Sequence, residues 1–99
     1  MQTTNLITLG NGLEVDKDHS LRSFERGELL LIKLKPQDYP YEVHQKPETI
    51  IAFKGQFSLE TKDSSVQVNE GETITVPPGI DHRFGSQSDA LILVLFEKA

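Results

Sequence analysis

From residue 27 onward, Gly, Pro, Asn and Asp interrupt the sequence about every eight to twelve residues, which leaves room for short strands joined by tight turns. Residues 27–35 (GELLLIKLK) read as a strand that stops at Pro36, where a backbone donor is lost. Further strands are predicted over 40–44, 49–54 and 56–61, the last two hinged at Gly55. The polar turn Lys62-Asp63-Ser64-Ser65 leads into residues 66–68, which alternate with period two as a half-buried strand does. Asn69-Glu70-Gly71 turns the chain into a strand over 72–76, Pro77-Pro78-Gly79 makes a tight corner, and 82–84 and 91–96 complete the series. Near the start, residues 6–9 and 13–15 around Gly10-Asn11-Gly12 predict a hairpin or strand pair. No stretch shows sustained helical periodicity with caps, so the fold class is all-β and antiparallel, a sandwich or barrel with helix below about 10%.

Ninety-nine residues and 11.1 kDa suffice for one core, so residues 1–99 are expected to form a single domain. Fifteen Asp and Glu outweigh ten Lys and Arg, a net charge of −5, which disfavours nucleic acid as a partner because phosphates are held by clustered cations. There is no cysteine, so disulfides and thiolate ligands are excluded and any metal must rest on His, carboxylate or water. The apolar run 90–96 is too short to cross a bilayer and the polar start Met1-Gln2-Thr3-Thr4-Asn5 is no signal peptide, so no membrane partner and a cytoplasmic location are expected. The Leu- and Ile-rich segments 27–35 and 90–96 carry more apolar surface than one small interior can hold, which predicts a homodimer.

Two blocks carry the candidate chemistry. In Gly71–His82 (GETITVPPGIDH) a turn glycine starts a strand, and the Pro77-Pro78-Gly79 corner combines a fixed φ with freedom at positive φ. His82 follows that rigid corner and is therefore held by the backbone, as a ligand or base must be. In the other block, Glu42-Val43-His44-Gln45-Lys46-Pro47-Glu48, alternation puts Glu42 and His44 on one face, with Glu48 at the same parity. Two carboxylates and an imidazole facing a core need a cation or hydrogen bonds to compensate them. The plainer alternatives are a hydrogen-bonded corner His82, a half-exposed His44, a Glu48 paired with Lys46 or Lys54, and a solvated Glu42. His19 reads as a solvated loop residue. Tyr39, Tyr41, Phe53, Phe57, Phe84 and Phe96 read as core or pocket lining, and Arg83, alternating with His82, as facing away from the site. Arg22 and Arg26 could reach a substrate carboxylate, but no spacing assigns them one.

Together the blocks resemble the paired motifs of the cupins, G-x5-H-x-H-x3,4-E-x6-G and G-x5-P-x-G-x2-H-x3-N. Gly71, Pro77, Gly79 and His82 match the second, with Ser86 at its final Asn; His44, Glu48 and Gly55 match the first, with Glu42 at its first His and Pro36 at its opening Gly. The resemblance implies an antiparallel jelly-roll β-barrel whose interior holds one divalent metal, here on Glu42, His44, Glu48 and His82. Two imidazoles and two carboxylates suit Fe, Mn, Ni or Zn. It leaves open a metal-dependent enzyme of the oxygenase, isomerase or lyase class, a metal-free small-molecule-binding module, and a sensing or structural domain that only dimerises. A small-molecule ligand or substrate is the expected partner in the first two.

Overall fold

The computed structural model describes residues 1–98. It contains one short helix, α1 (Leu6–Asn11), and seven strands: β1 (His19–Phe24), β2 (Gly27–Leu34), β3 (Glu48–Glu60), β4 (Ser65–Val68), β5 (Thr73–Val76), β6 (Arg83–Phe84) and β7 (Asp89–Glu97). Every strand pairing is antiparallel. The strands run β1-β2-β7-β3-β4, with β5 and β6 also paired to β3, so the ladder is a jelly roll that stays open between β4 and β1.

Strand β3 organises the molecule. Its first part pairs with β7 and β5, its last part with β4 and β6, and the exchange falls between Gln56↔Asp89 and Phe57↔Val68. Gly55 makes the bend possible: it has φ of 78°, and a Cβ there would run into the Asp89 carbonyl oxygen. The predicted break at Gly55 is thus a bend within one strand, assisted by a bulge between Ala52 and Lys54.

The inward side chains form rows across β2, β7 and β3. Leu34 lies beside Ala90, then Ile32 beside Ile92 and Ala52, then Leu30 beside Val94 and Ile50; all are buried. The next row holds Phe96 and Glu48. A carboxylate therefore replaces the aliphatic residue at the end of the barrel, directly above an apolar floor.

The expected hairpin over residues 6–15 is instead α1. The Asn5 side chain accepts hydrogen bonds from the Ile7 and Thr8 amides, both 3.0 Å, which caps the helix, and Gly10 packs against the Leu91 side chain. Leu91, against which the helix packs, and Leu31 are both buried although they point away from the barrel interior. Residues 40–44 are not a strand either: Pro40 and the nearby Pro47 remove backbone donors, and the segment keeps one isolated bridge, Glu42 with His82. His19 opens β1 as a half-buried residue paired with Leu31 rather than sitting in a loop.

Candidate functional site

Three stretches of backbone meet at the open end. Glu42 and His82 exchange both amide hydrogen bonds, Glu42 N to His82 O at 2.7 Å and His82 N to Glu42 O at 2.9 Å, so their side chains stand on one face as cross-strand neighbours. Gly79, at φ 80°, donates its amide to the His44 carbonyl at 2.9 Å, fastening the proline corner to the loop that carries His44. Glu48 begins β3 opposite Val76 and Phe96. The four residues that sequence reasoning singled out therefore converge.

Their electrostatics are unusual. His82 is buried, with Nδ1 2.7 Å from the Ile80 carbonyl. A carbonyl only accepts, so Nδ1 carries the proton and in the neutral ring Nε2 presents a lone pair. That lone pair lies 3.5 Å from Glu48 Oε1, itself an acceptor when ionised. His44 Nε2 is buried without any hydrogen-bond partner, 3.6 Å from Glu48 Oε2 and 3.7 Å from Glu42 Oε2. The ring is held edge-on to Phe96, with centroids 5.4 Å apart. Burial pushes the Glu48 carboxyl above its usual range; His44 and His82 pull it back and Glu42 adds to the rise.

The donor set fits a divalent cation. Donor atoms of Glu42, His44 and His82 all lie within 4.8 Å of one another, and Glu48 approaches both imidazoles. Ligands about 2.1 Å from one ion at tetrahedral corners stand about 3.4 Å apart, close to the 3.5, 3.6 and 3.7 Å between the imidazole nitrogens and the carboxylate oxygens. An ion would also give the orphaned His44 Nε2 and the facing His82–Glu48 acceptors a shared partner. Glu42 differs from the rest in its exposure: its side chain is 57% accessible against 12% for Glu48.

The site opens into a cavity of about 200 Å³. Leu30, Ile32 and Val94 line its floor, and Tyr39, Phe84 and Phe96 its sides. Tyr39 is buried and its hydroxyl donates to the Lys35 carbonyl at 2.6 Å. Tyr41, expected inside, is exposed and lies under the Arg83 guanidinium at 4.5 Å. Phe53 is half-buried. Arg83 borders the cavity instead of facing away, and its Nε donates to Oε1 of its cross-strand neighbour Glu60 at 2.9 Å. Lys54 pairs with Glu70, not with Glu48, and Arg22 and Arg26 are exposed without lining the cavity.

Two cavity residues have no signal in the sequence. Asp16 and Asp18 form part of the rim although they precede Glu42 by more than twenty residues. The Asp16 amide donates to the Lys33 carbonyl at 2.8 Å, next to the parallel bridge between Val15 and Lys33, and Asp16 takes φ of 58°, a conformation Asp tolerates better than most residues. Partial burial, with Glu42 and Asp18 nearby, raises the Asp16 pKa.

The family model described as the cupin domain matches residues 30–96. The chain belongs to the cupins. Among solved structures this cupin is similar to a protein from Neisseria meningitidis, with a TM-score of 0.77 and 24% identity over 96% of this chain and 99% of that one. It is also similar to a cupin-2 domain protein from Shewanella frigidimarina, with a TM-score of 0.81 and 14% identity over 93% and 90% of the two chains. A hydroquinone 1,2-dioxygenase from Sphingomonas, solved with 4-hydroxybenzoate bound, gives a TM-score of 0.81 and 10% identity over 96% of the cupin and 73% of the enzyme. At these identities the likeness is one of fold. No protein of curated function matches the sequence significantly.

Proposed function

We propose that this cupin holds one divalent cation on Glu42, His44, Glu48 and His82 and binds a small organic molecule beside it in the barrel. The observation that carries the proposal is the His44 Nε2, buried and unpartnered between two carboxylates and facing a second imidazole. Desolvating such an atom without a partner is costly, and a cation removes the cost. When bound, a metal in this N/O set supplies Lewis-acid polarisation of a ligand oxygen or, if redox-active, a site for oxygen chemistry. The chain's own residues supply the rest. The Ile80 carbonyl fixes the His82 tautomer, Phe96 fixes the His44 ring, and the floor of Leu30, Ile32 and Val94 excludes water beneath the ligand. Metal analysis of protein purified without chelator, followed by calorimetric titration with Mn, Fe, Ni and Zn, is the test; about one equivalent of tightly held metal is expected. No metal and no heat with any of them would leave a metal-free binding pocket.

The proposal includes a homodimer. On the outer face, Leu29, Ile51, Leu93 and Leu95 continue the apolar surface beyond α1, and Leu95 is 43% exposed. The accessible surface is 6376 Å². A monomer of this mass is expected to show about 5,700 Å². The chain thus has more surface than a typical monomer of its size, and a standard interface would cover roughly 800 Å² of it. Sedimentation should show a dimer at micromolar concentration, and Leu95→Glu should shift it to monomer.

A further inference from the structure

The cavity is sided by charge. Its rim carries Asp16, Asp18 and Glu42, all exposed, and Glu48 lies deeper. Arg83 is the one Lys or Arg that lines it, and its guanidinium is taken up by Glu60 and the Tyr41 ring. Of the lysines nearest in sequence, Lys17 pairs with Glu14, Lys33 with the Asn11 carbonyl and Lys35 with Asp89, while Lys46, between His44 and Glu48, is exposed and does not line the cavity. Four acidic residues therefore line the cavity with no unpaired lysine or arginine among its described lining residues, and one divalent cation would offset half of that charge. A carboxylate or phosphate entering here meets net repulsion, and a cation meets attraction. The walls add a second preference. Tyr39, Phe84 and Phe96 offer aromatic surface, which receives an apolar body and, by its π-face, a cationic head. About 200 Å³ falls below the roughly 300–1,000 Å³ of sites for drug-sized molecules, so the occupant is small.

We infer that the ligand of this cavity is a small organic amine in its cationic form, with Asp16 and Asp18 as the residues that select it against anions. The inference rests on the reading of the barrel as a small-molecule site and is independent of whether a metal is bound there. Asp16 is the better placed of the two for selection: the Val15–Lys33 bridge and its own amide bond to the Lys33 carbonyl pin its backbone against β2. Asp18 lies two residues on, immediately before β1.

Benzylamine, benzyl alcohol and benzoate share one ring and differ in charge, which makes them the probes. Each is titrated into chelator-treated protein and into zinc-loaded protein, followed by amide NMR shifts at low and at high salt. In the chelated protein benzylamine should bind about tenfold more tightly than benzoate, with the alcohol between them, and the gap should narrow as salt screens the rim. The double variant Asp16→Asn, Asp18→Asn should bring amine and alcohol to within about twofold. Asn keeps side-chain size and tolerates the Asp16 backbone conformation, and a melting curve confirms that the variant is folded. Benzoate binding as tightly as benzylamine in the chelated protein, no amine binding at millimolar concentration, or an amine affinity indifferent to both substitutions would each overturn the inference. Failure of zinc to load bears on the metal proposal alone, because the comparison in chelated protein stands without it.

Discussion

The site has two halves that differ in how they are held. His82 and Glu48 sit on framework: one follows the Pro77-Pro78-Gly79 corner and is 3% exposed, the other begins the longest strand with its side chain 12% exposed. Glu42 and His44 sit on an irregular segment between Pro40 and Pro47, with side chains 57% and 24% exposed. The first half is bound into the folding of the barrel, and the second is attached to it by three backbone hydrogen bonds, two to His82 and one from Gly79. The difference implies that the framework half governs stability as well as binding, whereas the loop half governs binding with little effect on stability.

Replacing His82 and His44 in turn by Ala is the strongest way to break that comparison. His82→Ala removes a buried ring, strands the Ile80 carbonyl and leaves Glu48 without its nearer imidazole; a loss of about 2–4 kcal/mol in unfolding free energy is expected. His44→Ala removes a half-buried ring whose Nε2 has no partner, so the metal-free protein should lose less than about 1 kcal/mol. Both should weaken metal binding by about a hundredfold or more, since even residues that only support a ligand contribute 10–100-fold. Urea titrations with and without zinc measure both quantities. Equal destabilisation by the two variants would dissolve the distinction.

Glu48 tests the framework half by charge. Burial raises its folded-state pKa above the ordinary 4.5, so the folded chain holds the proton more tightly than the unfolded one. Its contribution to stability is then fully present below pH 4.5 and is lost as pH rises through the folded value. Metal-free Glu48→Gln should escape that loss and be more stable than the parent at neutral pH by about 1 kcal/mol, the two converging in acid. The same variant should bind metal poorly, so adding zinc should reverse the order. Melting temperatures across pH 4 to 8, in chelator and in zinc, read the crossing.

The framework half was also the more legible in the sequence. Gly71, Pro77, Gly79 and His82 stand at a spacing that turn chemistry alone converts into strand, corner and fixed imidazole, and the structure retains all of these elements. The loop half was legible in its residues but not in its backbone. Alternation assumed a strand over 40–44, whereas a single bridge to His82 brings Glu42 to the site. The first helix was hidden because Gly10-Asn11-Gly12 reads as a turn. Its cause is the Asn5 cap together with Leu91, about eighty residues away, against which Gly10 packs. Asp16 and Asp18 were out of reach for the same reason: what brings them to the rim is the Val15–Lys33 bridge, a long-range pairing that no local pattern announces.

Glu42 sharpens the comparison with the smallest effect. It occupies the position at which the cupin motif has its first His, and it is the most exposed of the four candidate ligands. Solvent already stabilises its charge, so its removal uncovers no buried orphan and stability should hold within about 0.5 kcal/mol. Glu42→Gln keeps an oxygen donor without the charge and should weaken zinc binding by about tenfold, well short of the losses at His44 or His82. Glu42→His replaces the oxygen by nitrogen on the same backbone bridge and should tighten nickel and zinc while doing less for manganese, which prefers oxygen. Calorimetric titration of the three metals into parent and both variants gives the pattern. If Glu42→Gln cost as much affinity as His82→Ala, the loop half would be as deeply engaged as the framework half, and exposure would be a poor guide to which ligands matter. If the Gln and His variants were both indistinguishable from the parent, Glu42 would lie outside the coordination set, leaving His44, Glu48 and His82 as ligands and Glu42 as a charge on the rim.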